Sequence, residues 1–416
     1  MDEKVREEIL LRPIRIPNLI VLVLIALFVL GAVAFVSQAM GSNAKEAWQI
    51  YLVNFLFWAG IAQGGVIFSC ALRITSGKWG RPVLRIAEAL GSFIPISFVL
   101  LLILFIGKDH ILPYATHHYS HPKDLWLNIH FVIGRDVIGL FILSILSLAY
   151  LYYSLRQDLG GSGENLGIRG WIASGWGGEG ERVVCWNKIL RLAPAVVLVY
   201  AAVFSFFAWD LMMSLDPEWY STLFGVYYFV ACFIGGICAT IILSVMLRKY
   251  LNLQDYITKS QFHDLGKLLF GFSLFWVYMF FSQFLVIWYA SLPEEVGFVI
   301  KRVQEPPFKT LSWLVISCCF FFPLVTLLPK TNKIITPILA FIATVYLCGL
   351  WLEKFVLVTP SLFSQIHFGW VQILITIGFF SAFILTFLLF IRTFPILPIG
   401  DPLFSGKIGS HHSGGH

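Results

Sequence analysis

The chain has 416 residues, of which 58% are hydrophobic and only 12% are charged, and its mean hydropathy is +0.82. A soluble domain carries roughly 25% charged residues, so this composition excludes a soluble protein and indicates an integral membrane protein. The formal net charge of +6 does not indicate nucleic-acid binding, because the basic residues are sorted by loop. The seven cysteines form no Cys-x-x-Cys pair and six lie in apolar segments, so the chain is not expected to bind zinc or an iron–sulfur cluster itself.

Ten segments of the chain are long and apolar enough to cross a bilayer, which takes about 20 residues. We therefore predict an all-α integral membrane protein, a single polytopic domain with about ten transmembrane helices. The eighth and ninth segments are the shortest, and only the residues from Pro329 to Lys333 separate them. The predicted helices are 19–39, 51–72, 86–106, 127–152, 191–214, 221–247, 266–290, 311–328, 334–353 and 368–391.

Lysine and arginine are distributed unequally between alternate loops. One side of the membrane receives 21 of these residues and the other side seven, while Arg135 lies inside a predicted helix. Because cytoplasmic loops are enriched in lysine and arginine, we predict that both termini are cytoplasmic. The glycine-rich segment 154–188 is predicted to be a flexible cytoplasmic loop, and the tail 405–416 to be disordered.

The loops on the opposite side are short, poor in lysine and arginine, and carry proline, tryptophan and acidic residues. One of them contains His117, His118 and His121. Three histidines so close together could bind a metal, but the interpretation as a surface loop is favoured. These loops together predict a docking surface for other proteins. Their ranges are 107–126, 215–220, 291–310 and 354–367.

The fourth predicted helix carries ionisable side chains at membrane depth. Such residues cost several kcal/mol unless they are paired or hydrated, so they indicate function by default. Neighbours in sequence do not face each other on a helix, so Arg135 and Asp136 each need a partner on a different helix or in a polar cavity. Asp210, in the fifth helix, is the best charged partner for Arg135. The candidates for a proton path or a quinone site are His130, Arg135, Asp136, Asp210, Gln283, Gln63, Glu88, His263 and Asp264.

Two interpretations of these polar residues stay open. A single glutamine or aspartate in a membrane bundle often only holds helices together by hydrogen bonds. For His130, Arg135, Asp136 and Asp210 together, a proton relay or a quinone site is favoured, because both need groups that titrate or hydrogen-bond away from bulk water. No intrinsic haem is expected, because only His130 is clearly intramembrane and a b-type haem usually takes two facing histidines.

Three stretches of the chain resemble the NrfD/polysulfide-reductase family of membrane subunits. They are Tyr51–Ala71 with the following Arg81-Pro82 (YLVNFLFWAGIAQGGVIFSCA…WGRP), Ala208–Phe229 (AWDLMMSLDPEWYSTLFGVYYF) and His263–Glu295. Within the family they are most similar to the second of the two NrfD-like subunits of alternative complex III, a bacterial quinol:electron-acceptor oxidoreductase. The resemblance covers most of helices 2 to 7. It implies two four-helix bundles, helices 2–5 and 6–9, and two flanking helices.

The resemblance also implies partners and a role. The implied partners are a sister NrfD-like membrane subunit, c-type haem subunits, a periplasmic iron–sulfur subunit and other small membrane subunits, all in or on the bacterial inner membrane. Haem c and the iron–sulfur clusters would lie in those partners, and this chain would bind no cofactor except a quinone or quinol. By this resemblance the chain is not catalytic alone: it lines a transmembrane proton path, and any quinone pocket is secondary.

Two functions of other classes remain as alternatives. A proton-coupled transporter with a midplane site would have glycine- or proline-broken helices at matched positions of two halves, and the sequence shows no such pair. A purely structural membrane anchor would use its intramembrane polar residues only to join helices.

Overall fold

The computed structural model describes residues 14, 16–117, 119, 121, 123–160 and 167–404 of the chain. Over these residues the protein is helical and contains no strand, and ten helices are long and apolar enough to span a membrane. The predicted all-α class and the count of ten helices are therefore confirmed. The helices are α1 Asn18–Ala39, α2 Ala44–Ile74, α3 Arg81–Ile106, α4 Ile129–Leu159, α5 Glu179–Leu215, α6 Leu223–Tyr250, α7 Lys259–Ala290, α8 Phe308–Leu327, α9 Thr336–Leu362 and α10 Trp370–Thr393.

Several of these helices extend farther than predicted. Hydropathy detects the apolar middle of a helix, whereas its polar ends score like loops. α9 was predicted to end at residue 353 but continues to Leu362, so Glu353 and Lys354 lie buried inside it. The segment 154–188 is largely helical, because α4 ends at Leu159, α5 begins at Glu179 and a short helix covers Gly167–Ala173. The flexibility of this segment stays a prediction, and the tail 405–416 and His118 lie outside the described residues.

The membrane helices form two bundles, α2–α5 and α6–α9, which meet where α2 packs along α6. This contact is a close approach of backbones. A Cβ atom on Gly64 would lie 2.2 Å from the carbonyl oxygen of Cys232, and Gly60 lies one turn earlier on α2. Gly60 and Gly64 make a Gly-x-x-x-Gly pattern, which allows transmembrane helices to pack closely. α2 is consequently the most enclosed helix, with 89% of its apolar window buried.

α1 and α10 flank the bundles as a pair. They pack on each other through Gly31 and Gly378, where a Cβ atom on Gly31 would lie 2.6 Å from the Cα of Gly378. Only 11% of the apolar window of α1 is buried within the chain. α1 therefore presents most of its surface to the lipid or to partner subunits.

Ten crossings place the start of α1 and the end of α10 at one face of the bundles, which we call the terminal face. After α10 the chain turns back over this face, and Leu397, Ile399 and Phe404 pack against Leu253 and Tyr256 of the connection between α6 and α7. We call residues 394–404 the return segment. The return segment covers the terminal end of the first bundle and contributes residues to the site described below.

Candidate functional site

α4 begins with a helix cap that sets the position of its charged residues. The side chain of Asn128 accepts hydrogen bonds from the backbone N–H groups of His130 and Phe131, at 3.0 and 3.3 Å. Asparagine is among the best residues for this position because it satisfies N–H groups that the helix itself leaves unbonded. Arg135 and Asp136 thus lie within the first two turns of α4, on the side opposite the terminal face.

Arg135 pairs with Asp210 of α5, as predicted from the sequence. Its Nε donates to Asp210 Oδ2 at 2.6 Å, and a second guanidinium N–H bonds the other carboxylate oxygen. The guanidinium also lies 3.9 Å from the ring centroid of Trp126 and donates to the Trp126 carbonyl at 3.1 Å. Such a two-pronged, stacked arrangement suits arginine and would not suit lysine. Both charges of the pair are therefore satisfied within the chain.

Asp136 is placed differently from Asp210. Its side chain is 1% exposed, and neither carboxyl oxygen has a hydrogen-bond partner among the described residues. It lies close enough to Asp210 and to Arg135 to interact with both electrostatically. A buried polar group without a partner is rare in proteins and calls for an explanation. We call Arg135, Asp136 and Asp210 together the Arg135 site.

A tyrosine from the connection between α3 and α4 closes the Arg135 site. The Tyr114 hydroxyl donates to the backbone carbonyl of Asp210 at 3.0 Å. Burial raises the pKa of Tyr114 well above its usual range, and the carboxylates of Asp210 and Asp136 raise it further. The hydroxyl therefore keeps its proton and acts as a hydrogen-bond donor at this position.

A second group of charges, the arginine cluster, lies buried at the terminal face of the first bundle. Arg85 bonds both Glu88 and Asp158, and Arg73 donates to Glu88 at 3.4 Å. Three arginines and three carboxylates make the cluster electrically balanced, which a buried group of charges requires. Its members, each at most 1% exposed, are Arg73, Arg81, Arg85, Glu88, Asp158 and Asp401.

Asp401 reaches the arginine cluster from the return segment. Its Oδ2 accepts hydrogen bonds from Arg81 at 2.8 Å and from Arg73 at 3.1 Å. The adjacent Gly400 donates its N–H to Asp158 at 2.7 Å, across 242 residues of sequence. A Cβ atom on Gly400 would lie 2.2 Å from the carbonyl oxygen of Gln157, so a larger residue does not fit without a shift. The return segment thus belongs to the site.

A row of buried polar side chains, which we call the polar stripe, lies along one face of α4 between these two charged regions. From Asp136 to Asp158 the helix rises about 33 Å, which is close to the thickness of the hydrocarbon core. The spacing of its members repeats at about the 3.6-residue period of a helix, so they share one face. The members, each 6% exposed or less, are Asp136, Ser144, Ser147, Tyr150, Ser154 and Asp158.

Side chains of α2 and α3 partner the half of the stripe near the terminal face. Gln63 donates to Ser147 at 2.7 Å, which places this predicted residue in the site. The hydroxyls of Ser69 and Tyr150 share a hydrogen bond of 2.7 Å, and Ser69 also donates to Glu88 at 2.8 Å. Hydroxyl groups donate and accept at the same time, so these contacts can pass a proton between a carboxylate and the interior of the bundle.

An apolar section interrupts the stripe between Asp136 and Ser147. The distance along the helix is about 16 Å, and the buried Leu140 and Leu143 occupy this face. Ser144 lies within the section, but its hydroxyl donates to the Leu140 carbonyl at 2.6 Å. The stripe therefore has two polar parts with leucines between them: Asp136 alone on one side, and hydrogen-bonded side chains from Ser147 to Asp158 on the other.

Four of the predicted candidates do not join this site. His130 is exposed on the surface of α4, and His263 and Asp264 lie half-buried at the terminal end of α7, where Lys267 bonds Asp264 at 2.9 Å. Gln283 lies about 30 Å along α7 from His263 and lines a cavity of the second bundle. His130 and Arg135 lie on different faces of α4, because five residues of helix separate them by about 140°, and a role of His130 stays a prediction.

Five members of the arginine cluster and most of the stripe were missed from the sequence. Arg73, Arg81 and Arg85 were counted as loop charges, because they flank the apolar windows of α2 and α3. One signal was present: polar residues recur at helical spacing on α4 from Asp136 to Asp158. The contribution of Asp401 had no such signal, because it depends on the path of the return segment.

Two comparisons with known proteins relate this architecture to a family. The family model described as NrfD, polysulphide reductase, matches residues 37–365, a region that includes both bundles. A protein of Halobacterium salinarum that is named as a membrane subunit of dimethyl sulfoxide reductase is 24% identical over 258 residues. The match covers 60% of this chain and 55% of that relative. The chain therefore spans about half the length of this curated relative.

Proposed function

We propose, because the chain belongs to the NrfD polysulphide reductase family, that it is the proton-conducting membrane subunit of a quinol:electron-acceptor oxidoreductase of the alternative complex III type. Membership makes the chain a membrane subunit of an oxidoreductase complex, and the proton path is our addition. A quinone pocket is secondary in this proposal. The chain would act in the bacterial inner membrane, with its electron-transfer chemistry in partner subunits.

The observation that carries the proposal is the buried polar stripe on α4. Its two polar parts lie within about 33 Å of helix, with Asp136 at one end and Asp158 at the other, and in this proposal water carries the proton across the leucine section between them. Chains of carboxylates and hydrogen-bonding side chains within membranes are typical of proton relays. A subunit that only anchored its partners would not need buried ion pairs for stability, because apolar residues of similar volume can often replace them without loss of stability.

Asp136 is the proton carrier in this proposal. Asp210 is tied to Arg135 by two hydrogen bonds, so a change of its protonation state would break an ion pair. Asp136 has no hydrogen bond to Arg135, so it can bind and release a proton without breaking a hydrogen bond of the pair. At the other half of the path, the hydroxyls of Ser69 and Tyr150 connect Glu88 to the bundle interior.

The leucine section argues against a midplane transport site in the first bundle. Transporters hold their substrate near the middle of the membrane, between broken helices. On the α4 face this depth is occupied by Leu140 and Leu143, both at most 3% exposed, and α4 is unbroken from Ile129 to Leu159. The test of the proposal is the Asp136→Asn complex in sealed vesicles, whose quinol-driven proton movement is measured together with the amounts of its subunits.

The proposed partners are a sister NrfD-like membrane subunit, c-type haem subunits, an iron–sulfur subunit and small membrane subunits. We place the extrinsic ones on the face opposite the terminal face. Glu218→Lys in the connection between α5 and α6 is expected to reduce co-purification of the extrinsic subunits severalfold, because Glu218 is exposed there. Asp216 is unsuitable for this test, since it is 9% exposed and bonds Lys301.

The matched control for this charge reversal is Glu179→Lys. Glu179 is exposed at the terminal start of α5, on the face where we place no extrinsic subunit. Equal yields of partner subunits from the two variants would contradict the placement of the extrinsic subunits on the face opposite the terminal face. Glu181 is not a suitable control, because it bonds Arg156 and the backbone of Gly177.

The orientation of the chain gives a further prediction, which rests on the 21 basic residues of one side against seven on the other. A reporter that is active only in the cytoplasm should be active when it is fused after the C-terminus. A reporter that is active only outside the cytoplasm should be active when it is inserted in the loop 117–121. The reverse pattern would contradict the predicted orientation of the chain in the membrane.

A further inference from the structure

The second bundle encloses a cavity that the α4 path does not use. Its volume is about 100 Å³, and it lies between α6, α7, α9, the first turns of α8 and the helix Pro293–Val303. Seven of its 18 lining residues are aromatic. These are Trp219, Phe224, Tyr227, Trp276, Phe280, Phe284 and Phe298. Aromatic walls of this kind favour a flat ring, because rings gain energy from stacking and edge contacts beyond the burial of their area.

The cavity also contains hydrogen-bond donors without acceptors. The indole N–H of Trp219 and the Nε–H of Arg302 are buried and have no partner among the described residues. Both side chains line the cavity and are 3% and 4% exposed. Among the described residues, the amide of Gln283 makes one long hydrogen bond, 3.3 Å to the Met279 carbonyl of its own helix. Buried donors of this kind call for an acceptor.

The remaining contacts of Arg302 favour a neutral acceptor over an anion. Its two Nη groups already donate to the carbonyls of Phe298 and Leu357, both at 2.9 Å, and to Ser361 at 2.7 Å. Nε–H and one N–H of Nη1 are left. They do not form a parallel pair, because both N–H groups of Nη2 are used, whereas arginine binds phosphate or carboxylate through two parallel N–H groups. Burial lowers the pKa of Arg302 to about 9, so the side chain is still a cation at pH 7.

A carboxylate in the opposite wall also disfavours an anionic ligand. Glu353 of α9 accepts from Trp276 Nε1 at 3.0 Å and from Lys354 at 2.6 Å, and it is 2% exposed. Its charge is balanced by Lys354, but its oxygens would still repel a phosphate. A carboxylate can also accept a further hydrogen bond, for instance from a ring hydroxyl.

The cavity lies beside the lipid-facing side of the bundle. Phe280 and Phe284 of α7, which line it, are only partly buried within the chain. Next to the lining residue Ile316, α8 changes into one turn of π-helix, Ser317–Phe321. Pro323 explains this turn, because it lacks the N–H that would bond the carbonyl of Cys319. π-Helical turns of this kind occur frequently at functional sites.

We propose that this cavity binds the ring of a quinone-class lipid, a neutral ring with oxygen acceptors and an apolar tail. The ring lies between the aromatic walls, and its oxygens accept from Trp219, Arg302 and Gln283. The tail leaves beside α7 into the lipid. This cavity would be the secondary quinone pocket of the proposed function. A failed test of the cavity would not affect the proton path on α4.

The test is photolabelling of the purified full-length chain in detergent with an azido-decylbenzoquinone, followed by peptide mapping. Labels are expected on peptides of α7, α8 or the helix Pro293–Val303, and an excess of decylubiquinone should suppress them. Val315→Trp, which fills the cavity from α8, is expected to lower this labelling about tenfold or more, equivalent to about 1.4 kcal/mol of binding free energy. Gln283→Leu should lower it about threefold.

The matched control is Val325→Trp, the same change on the same helix. Val315 is 6% exposed and lines the cavity, whereas Val325 is 66% exposed and does not line it. Unchanged labelling in Val315→Trp protein that elutes as a single folded species would overturn the site. Suppression of the label by phosphatidylglycerol as effectively as by decylubiquinone would overturn the neutral ring. If Val315→Trp fails to fold, the result for Gln283→Leu decides.

Discussion

Asp136→Asn is expected to leave the complex assembled while lowering its quinol-driven proton movement by about two orders of magnitude, the lower end of the contribution of one positioned acid–base group. Asparagine keeps the size of the side chain and can hydrogen-bond, but it cannot carry a proton. Asp136 makes no hydrogen bond to another described residue, so the change breaks no contact that holds α4 to its neighbours. The measurements are the amounts of the subunits, quinol-dependent turnover and proton movement in sealed vesicles.

Asp124→Asn is the matched control, because it makes the same change at an exposed position on the same face of the protein. It should keep full turnover and full proton movement. Asp210→Asn is expected to lower assembly as well as proton movement, because it removes the partner of Arg135 and leaves that cation free to hold Asp136 ionised. An assembled Asp136→Asn complex with full turnover and unchanged proton yield would falsify the relay and favour the structural anchor.

Arg85→Ala is expected to destabilise the protein by about 3–5 kcal/mol, the range found when one partner of a buried ion pair is removed. Arg85 is 1% exposed and bonds both Glu88 and Asp158. Its loss leaves three carboxylates with two arginines in a place that water does not reach. The measurement is the unfolding of the purified chain in detergent by heat or denaturant.

Arg182→Ala provides the control for this prediction. Arg182 pairs with the exposed Glu179 at 2.7 Å, and an exposed pair contributes about 0–1 kcal/mol. Adding Glu88→Gln to Arg85→Ala should restore part of the stability, because it removes one stranded charge. If Arg85→Ala is no less stable than Arg182→Ala, the arginine cluster does not hold the terminal end of the bundle together.

The helices of this protein could be predicted from its sequence because each satisfies its backbone hydrogen bonds within itself. A membrane span must do so, since lipid offers no partners, and a local window of about 20 apolar residues is then sufficient to detect it. The pairing of Arg135 with Asp210 was predictable for a related reason. A charge inside an apolar helix requires a partner at a similar depth, and few residues meet that condition.

The arginine cluster shows why other parts could not be predicted. Arg73 and Arg85 are flanked by apolar helices and follow the charge pattern of exposed loops, yet both are 1% exposed. Their burial depends on Asp158 of α4 and Asp401 of the return segment. The residues next to these arginines in the sequence carry no pattern that predicts a contact with such distant segments.

The sequence by itself determined the all-helical class, the ten spans and the depth at which Arg135 and Asp136 lie, since each follows from the chemistry of one segment in lipid. Only the tertiary structure decided which polar residues act together. It left Asp136 without a hydrogen-bond partner among the described residues and turned His130 outward, because the rotation of α4 against its neighbours is set by the packing of the whole bundle. It also brought Asp401 to Arg73, since contacts between distant parts of a chain depend on all the segments that fold between them.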